Sequence, residues 1–183
     1  MYSTFNPQGC IARGSLLEAA LAAHAHLHQA GVVIFDETTF NVVDVDLSGS
    51  AEEVSRRVES YPQNTTTPTR GRGRPKLGVV GREVTLLPRH WEWLAQQPGG
   101  ASVTLRKLVS ATRKDPQQQQ QFAQHQAQQK AYRFCQVMAG DLIGYEEALR
   151  ALYAQDIEGF KANAQAWPQD IANTAIALAE ASV

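Results

Sequence analysis

Three histidines, His24, His26 and His28, alternate with other residues in a run rich in alanine and leucine. On a helix, His24 and His28 share one face at i, i+4, a spacing at which two imidazoles can hold one metal ion, while His26 points away. No carboxylate or third ligand stands at a useful spacing, so they read as polar surface histidines, with no metal and no cofactor. Asp44 and Asp46 alternate with Val43, Val45 and Leu47. That is the pattern of a half-exposed strand rather than of a paired-carboxylate acid and base. Cys10 and Cys135 lie far apart without a C-x-x-C pattern and read as buried or incidental thiols. There is no nucleophile elbow, phosphate-binding Gly-Lys-Ser/Thr loop or dinucleotide fingerprint, so no catalytic residue is assigned and no enzyme is expected. The remaining chemistry is cationic. Arg70-Gly71-Arg72-Gly73-Arg74-Pro75-Lys76 places four cations within seven residues, the residue type that engages phosphate.

Charge is distributed unevenly around that run. The whole chain has a formal net charge of −1 over 183 residues. Residues 70–114 nevertheless hold ten basic side chains (Arg70, Arg72, Arg74, Lys76, Arg82, Arg89, Arg106, Lys107, Arg113, Lys114) against Glu83 and Glu92. The flanks are acidic, with three basic against eight acidic residues in 1–69 and four against eight in 115–183. A basic block between acidic ones points to a polyanion partner for the middle segment. No apolar run approaches the ~20 residues of a membrane span, and the first residues lack the basic-then-apolar start of a secretory signal. The expected location is cytoplasmic.

The elements that must position these residues follow from periodicity and punctuation. Residues 1–60 read as a mixed αβ domain. A strand and turn occupy Tyr2 to Ile11, and a helix from Leu16 to Gln29 is opened by the capping box Ser15/Glu18 and closed by Gly31. A hairpin pairs Val32–Phe35 with Phe40–Leu47, and a second capping box, Ser50/Glu53, opens a helix over Ala51–Glu59. Residues 61–78 form a linker rich in Pro, Gly, Thr and Arg. Residues 79–114 read as strand, helix, helix. Val79, Val80, Val84, Thr85, Leu86 and Leu87 are strand formers, Pro88 starts a helix carrying Trp91 and Leu94, and Ser102 is placed to cap a second helix with Leu105, Leu108, Val109 and Thr112 at helical spacing. One of Trp91 and Trp93 is expected in the core. Residues 115–130 are a Gln-rich spacer or exposed helix, and 131–183 a helical domain. In that domain Asp141 and Asp156 head two copies of the pattern D-[LI]-x-G-[YF], each placed to cap a short helix.

Three resemblances attach to these residues. Gly73-Arg74-Pro75 flanked by Arg70, Arg72 and Lys76 resembles the AT-hook, which implies an arm in the minor groove of A·T-rich DNA. Arg82 to Pro88, followed by Gly99-Gly100-Ala101-Ser102-Val103-Thr104, resembles the ribbon-helix-helix family. That resemblance implies an obligate homodimer whose paired strands enter the major groove, with Thr85 among the strand residues and Ser102 and Thr104 at a phosphate-holding turn. Counted back from Pro88, the family's register implies Arg82, Val84 and Leu86 toward DNA, whereas hydrophobicity prefers those apolar residues inside, so either face remains open. The run Gly73 to Leu94, with Gly99-Gly100-Ala101-Ser102 and the ending Ala166-Trp167-Pro168, resembles a bacterial family known as domain of unknown function 2239, over nearly the whole chain.

The expected molecule is an α+β protein with a small N-terminal mixed domain, a central ribbon-helix-helix-like β-α-α unit and a C-terminal helical segment. Its expected function is DNA binding as a homodimer, as a transcriptional regulator or a nucleoid-associated protein. The candidate contacts are Arg70, Arg72, Gly73, Arg74, Pro75, Lys76, Arg82, Thr85, Arg89, Ser102, Thr104, Arg106 and Lys107, with Arg113 as a further phosphate contact. The alternative is a non-catalytic interaction or scaffold module whose basic block meets an acidic partner protein or the molecule's own acidic flanks. No membrane partner is expected, and the sequence names no small-molecule effector.

Overall fold

Alternation along the first strand decides the layering of the sheet. In the computed structural model, which describes residues 1–61 and 80–183, β1 (Tyr2–Asn6) pairs antiparallel with β2 (Gly9–Gly14) on one side and β3 (Val33–Asp36) on the other. A short β4 (Asn41–Val42) completes the order β2-β1-β3-β4. β1 lies between two strands, and both its faces are covered, with Thr4 and Phe5 fully buried on opposite sides. Thr4 and its cross-strand partner Ile34 face α1 (Leu16–Ala25), and Thr4 Oγ1 donates to the Ala19 carbonyl at 2.8 Å. That layer holds Ala19, Ala20 and Ala23 together with Val54 and Val58 of α2 (Ala51–Glu59). Phe5 and Phe35 face the other way, against helices from the C-terminal part of the chain.

The remaining helices follow in sequence with short connections. α3 (Pro88–Ala95) and α4 (Gly100–Lys114) come first, then α5 (Pro116–Met138), α6 (Tyr145–Tyr153), α7 (Ile157–Ala164) and α8 (Gln169–Glu180). Phe134 of α5 sits among Phe5, Phe35 and Phe40, with ring centroids at 5.1, 5.5 and 5.8 Å. Around this cluster pack Leu152, Phe160, Trp167 and Ile171, all buried. Residues 1–62 and 120–183 thus make one compact unit, and 63–119 make a second. The N-terminal and C-terminal segments, separate in the sequence analysis, share a single core. Three phenylalanines on one sheet face cannot be covered by α1 and α2, which lie on the other.

The fold class is α+β, as expected, with four antiparallel strands near the N-terminus and mostly helical structure after them. Both capping boxes form, at Ser15/Glu18 and Ser50/Glu53, and α2 has the expected limits. Several expectations are corrected. The first segment is a two-strand hairpin, because Asn6 Oδ1 accepts from the amides of Gln8 and Gly9 and turns the chain. α1 ends at Ala25, four residues early, so His28 is not on it; His26 Nδ1 lies 2.8 Å from the Ala22 carbonyl. The strand expected to Leu47 stops at Val42, and Asp46 instead holds a turn by accepting from the amide and hydroxyl of Ser48. The Gln-rich segment is helix: Asp115 Oδ1 accepts from the Gln117 amide, and Pro116 occupies the first helical position, where its missing N–H costs nothing. In the repeated pattern only Asp156 caps its helix, through the Gly159 amide; α6 is preceded by Gly144 at φ +84° instead of Asp141. Among the described residues no helix is long and apolar enough to cross a membrane.

Candidate nucleic-acid interface

The candidate residues fall in the second unit, and α3 and α4 carry most of those that are described. Proline at the start of α3 and Gly99, at φ +89° ahead of α4, punctuate the pair. Gly99 tolerates that backbone because it lacks the Cβ that would crowd Val103 at 3.0 Å. Here the expectation for Ser102 is corrected. α4 begins at Gly100, so Ser102 lies within its first turn, exposed, and does not cap it. Thr104 is buried at 9% exposure, which turns it inward from any phosphate.

Arg70, Arg72, Gly73, Arg74, Pro75 and Lys76 lie outside the described residues. The strand expected over Arg82–Leu87 is not formed: residues 80–87 have no regular structure and are exposed except for a half-buried Leu86. A strand needs a neighbour to satisfy its amides and carbonyls, and the four-stranded sheet includes no residue of this segment. Neither register of the sequence analysis is therefore selected, since Val84, Thr85 and Leu87 are all exposed. Trp91 and Trp93 are also both exposed, against the expectation that one is core; Leu94 takes the buried position of α3.

What the unit does present is uncompensated charge beside uncovered apolar surface. Arg82, Arg89, Arg106, Lys107, Arg113 and Lys114 are all exposed. The ion pairs of the described residues engage Arg13, Arg57, Arg150 and Lys161 and none of these six. Within 80–119 only Leu94 and Thr104 are buried, while Val80, Val84, Leu87, Trp91, Trp93, Leu108 and Val109 are 41–71% exposed. Seven large apolar side chains left open on forty residues exceed what an isolated small unit ordinarily shows to water. Lys114 is a further exposed cation that does not figure among the candidate contacts of the sequence analysis; its heptad relation to Lys107 is the signal that identifies it.

The first unit has different chemistry. His24 Nδ1 lies 3.0 Å from the Leu47 carbonyl, and no group of three or more metal-ligating side chains occurs among the described residues. Two grooves in it, of about 750 and 370 Å³, lie along α7 and α8 and between α8 and Arg13, and neither contains His24, His28, Asp44 or Asp46. Lys161 reaches Glu180 at 2.9 Å and Glu158 at 3.1 Å, and the hydrogen bond to Glu180 is the chief reason its ammonium is held above the usual lysine range.

No curated protein and no solved structure matches the chain. Residues 1–179 match the model of a family described as an uncharacterized protein conserved in bacteria (DUF2239), and the chain belongs to that family.

Proposed function

We propose that this protein binds DNA as a homodimer through the unit spanning residues 63–119, as a transcriptional regulator or nucleoid-associated protein without catalytic activity. The observation that carries the reading is the coincidence, on α3, α4 and the segment before them, of six exposed cations outside the ion pairs of the described residues and an apolar surface with almost nothing buried beneath it. A unit with Leu94 as the one buried large side chain among its described residues cannot supply its own stability, because the entropy of ordering some forty residues far exceeds one such burial. A second copy is the partner of matching shape available to every chain, and it would provide an antiparallel neighbour for residues 82–87.

With the apolar side paired, the cations are left for phosphate. Arg82 and Arg89 precede and open α3, and Arg106 and Lys107 stand on α4. In this reading Arg70, Arg72, Arg74 and Lys76, with Gly73 and Pro75, supply the arm. Binding to duplexes over a salt series, with molar mass recorded alongside, tests it. If each protomer neutralises roughly five phosphates, the slope of log K against log salt for a dimer is about −9; a slope shallower than about −3 refutes the reading.

A further inference from the structure

We propose that the face of α4 bearing Arg106, Lys107, Arg113 and Lys114 is a phosphate clamp that grips duplex nucleic acid irrespective of base sequence. The inference rests on the DNA-binding reading and specifies which surface does the holding and what it recognises.

The composition of α4 sets it apart. Gly100–Lys114 contains four cations and no acidic residue. Three other helices mix signs, Glu52 and Glu53 with Arg56 and Arg57 on α2, Glu146 and Glu147 with Arg150 on α6, and Glu158 with Lys161 on α7, while α5 carries only the two cations Lys130 and Arg133 and α8 only the acids Asp170 and Glu180. Mixed signs stabilise an exposed helix through i, i+3 and i, i+4 pairs, as Arg150 with Glu147 and Lys161 with Glu158 do here. α4 forgoes that stabilisation. Arg113 and Lys114 in its last turn also complement the helix dipole, but Arg106 and Lys107 stand mid-helix, where the dipole offers nothing.

Spacing completes the case. Arg106 and Arg113 are seven residues apart, as are Lys107 and Lys114, so each pair returns to within about 20° of the same direction and repeats at about 10.5 Å. The major groove is about 12 Å wide, so two cation pairs about 10.5 Å apart on an exposed helix can reach separate phosphates of one duplex. Leu105, Leu108, Val109 and Thr112 occupy a different sector of the helix, which leaves the cationic sector free when the apolar one is covered. Arg106 donates from Nε to the Ser102 carbonyl at 3.1 Å, which orients its guanidinium along the helix while its terminal nitrogens remain available. Cations on phosphates carry no base information.

The test uses the full chain and fluorescence anisotropy on one A·T-rich and one G·C-rich duplex across a salt series. Replacing Arg106, Lys107, Arg113 and Lys114 by Gln is expected to flatten the slope by about 0.9 for each phosphate no longer neutralised, or about 7 for a dimer releasing eight, equally on both duplexes. Arg106→Lys with Arg113→Lys should keep the slope, and Arg150→Gln with Lys161→Gln should leave it unchanged. If the fourfold variant loses helical signal, Lys107→Gln and Lys114→Gln singly should each flatten the slope by about 2 per dimer. The proposal is overturned if the wild type binds steeply and the α4 variants keep that slope, or if their weakening is confined to one duplex. A wild type that holds neither duplex overturns the DNA-binding reading itself.

Discussion

Ser50 and Glu53 satisfy each other's backbone at the start of α2: Ser50 Oγ accepts from the Glu53 amide and Glu53 Oε2 from the Ser50 amide at 2.7 Å. Ser50→Ala removes one half of the box and is expected to cost about 1 kcal/mol, read as a lower midpoint in urea with unchanged m-value. The Ser50 amide, then its hydroxyl, hold the Glu53 carboxyl below its ordinary value of 4.5. A folded-state value below the unfolded one gives stabilisation that is complete above the ordinary value and disappears as pH falls through the lowered one. The same applies to Glu18, lowered chiefly by the Ser15 amide. Stability measured from pH 5 to pH 3 should therefore fall more steeply for the wild type than for a Glu18→Gln, Glu53→Gln variant; equal slopes would show that the boxes do not form in solution. Burial has the opposite sense at Cys135, whose thiol is pushed up to about 12. Only its thiolate reacts, so a thiol reagent should titrate Cys10 alone in the native protein and both cysteines in denaturant. Native labelling of Cys135 would contradict its burial.

At the scale of elements, local signals and tertiary ones separate. Both capping boxes, the proline opening of α3 and the hairpin between β3 and β4 depend on residues within a few positions of each other, and each is legible in the sequence. The early end of α1, the loss of the strand beyond Val42 and the exposure of both tryptophans depend on what packs where, and periodicity carries no such information. The clearest case is α5. Its sequence shows glutamine followed by Phe134, Cys135 and Met138, and nothing local says that Phe134 belongs with Phe5 from 129 residues earlier. Of the candidate site, residue type is legible, since the exposed cations of α3 and α4 are where expected, but burial is not: Thr104 is inside and Ser102 is not the cap. Phe134→Ala should cost about 3–5 kcal/mol, the range for emptying an aromatic core position. Combined with Phe5→Ala it should be less than additive, because both remove the same ring-on-ring packing. A cost below about 1 kcal/mol in chemical denaturation would mean that α5 does not pack on the sheet.

For the whole molecule, charge and burial divide along the same line. Residues 63–119 hold ten basic and three acidic side chains, whereas 1–62 with 120–183 hold seven and fifteen. The acidic unit carries the large core and the described residues of the basic unit almost none, so the two should respond differently to protein concentration. The tryptophans report on them separately: Trp167 is 5% exposed and donates from Nε1 to the Ile143 carbonyl in the first unit, while Trp91 and Trp93 lie on α3. In a Trp167→Phe variant all tryptophan emission comes from the second unit. If a second copy covers its apolar surface, that emission should shift to the blue as concentration rises from nanomolar to micromolar, and its unfolding midpoint should rise with it, because association stabilises by mass action. In a Trp91→Phe, Trp93→Phe variant the emission from Trp167 should show no such dependence. An unpaired unit would instead keep red-shifted emission and a fixed midpoint at every concentration. Seven exposed apolar side chains would then lack a covering partner in solution, and the homodimer reading would fail even if the cations still held DNA.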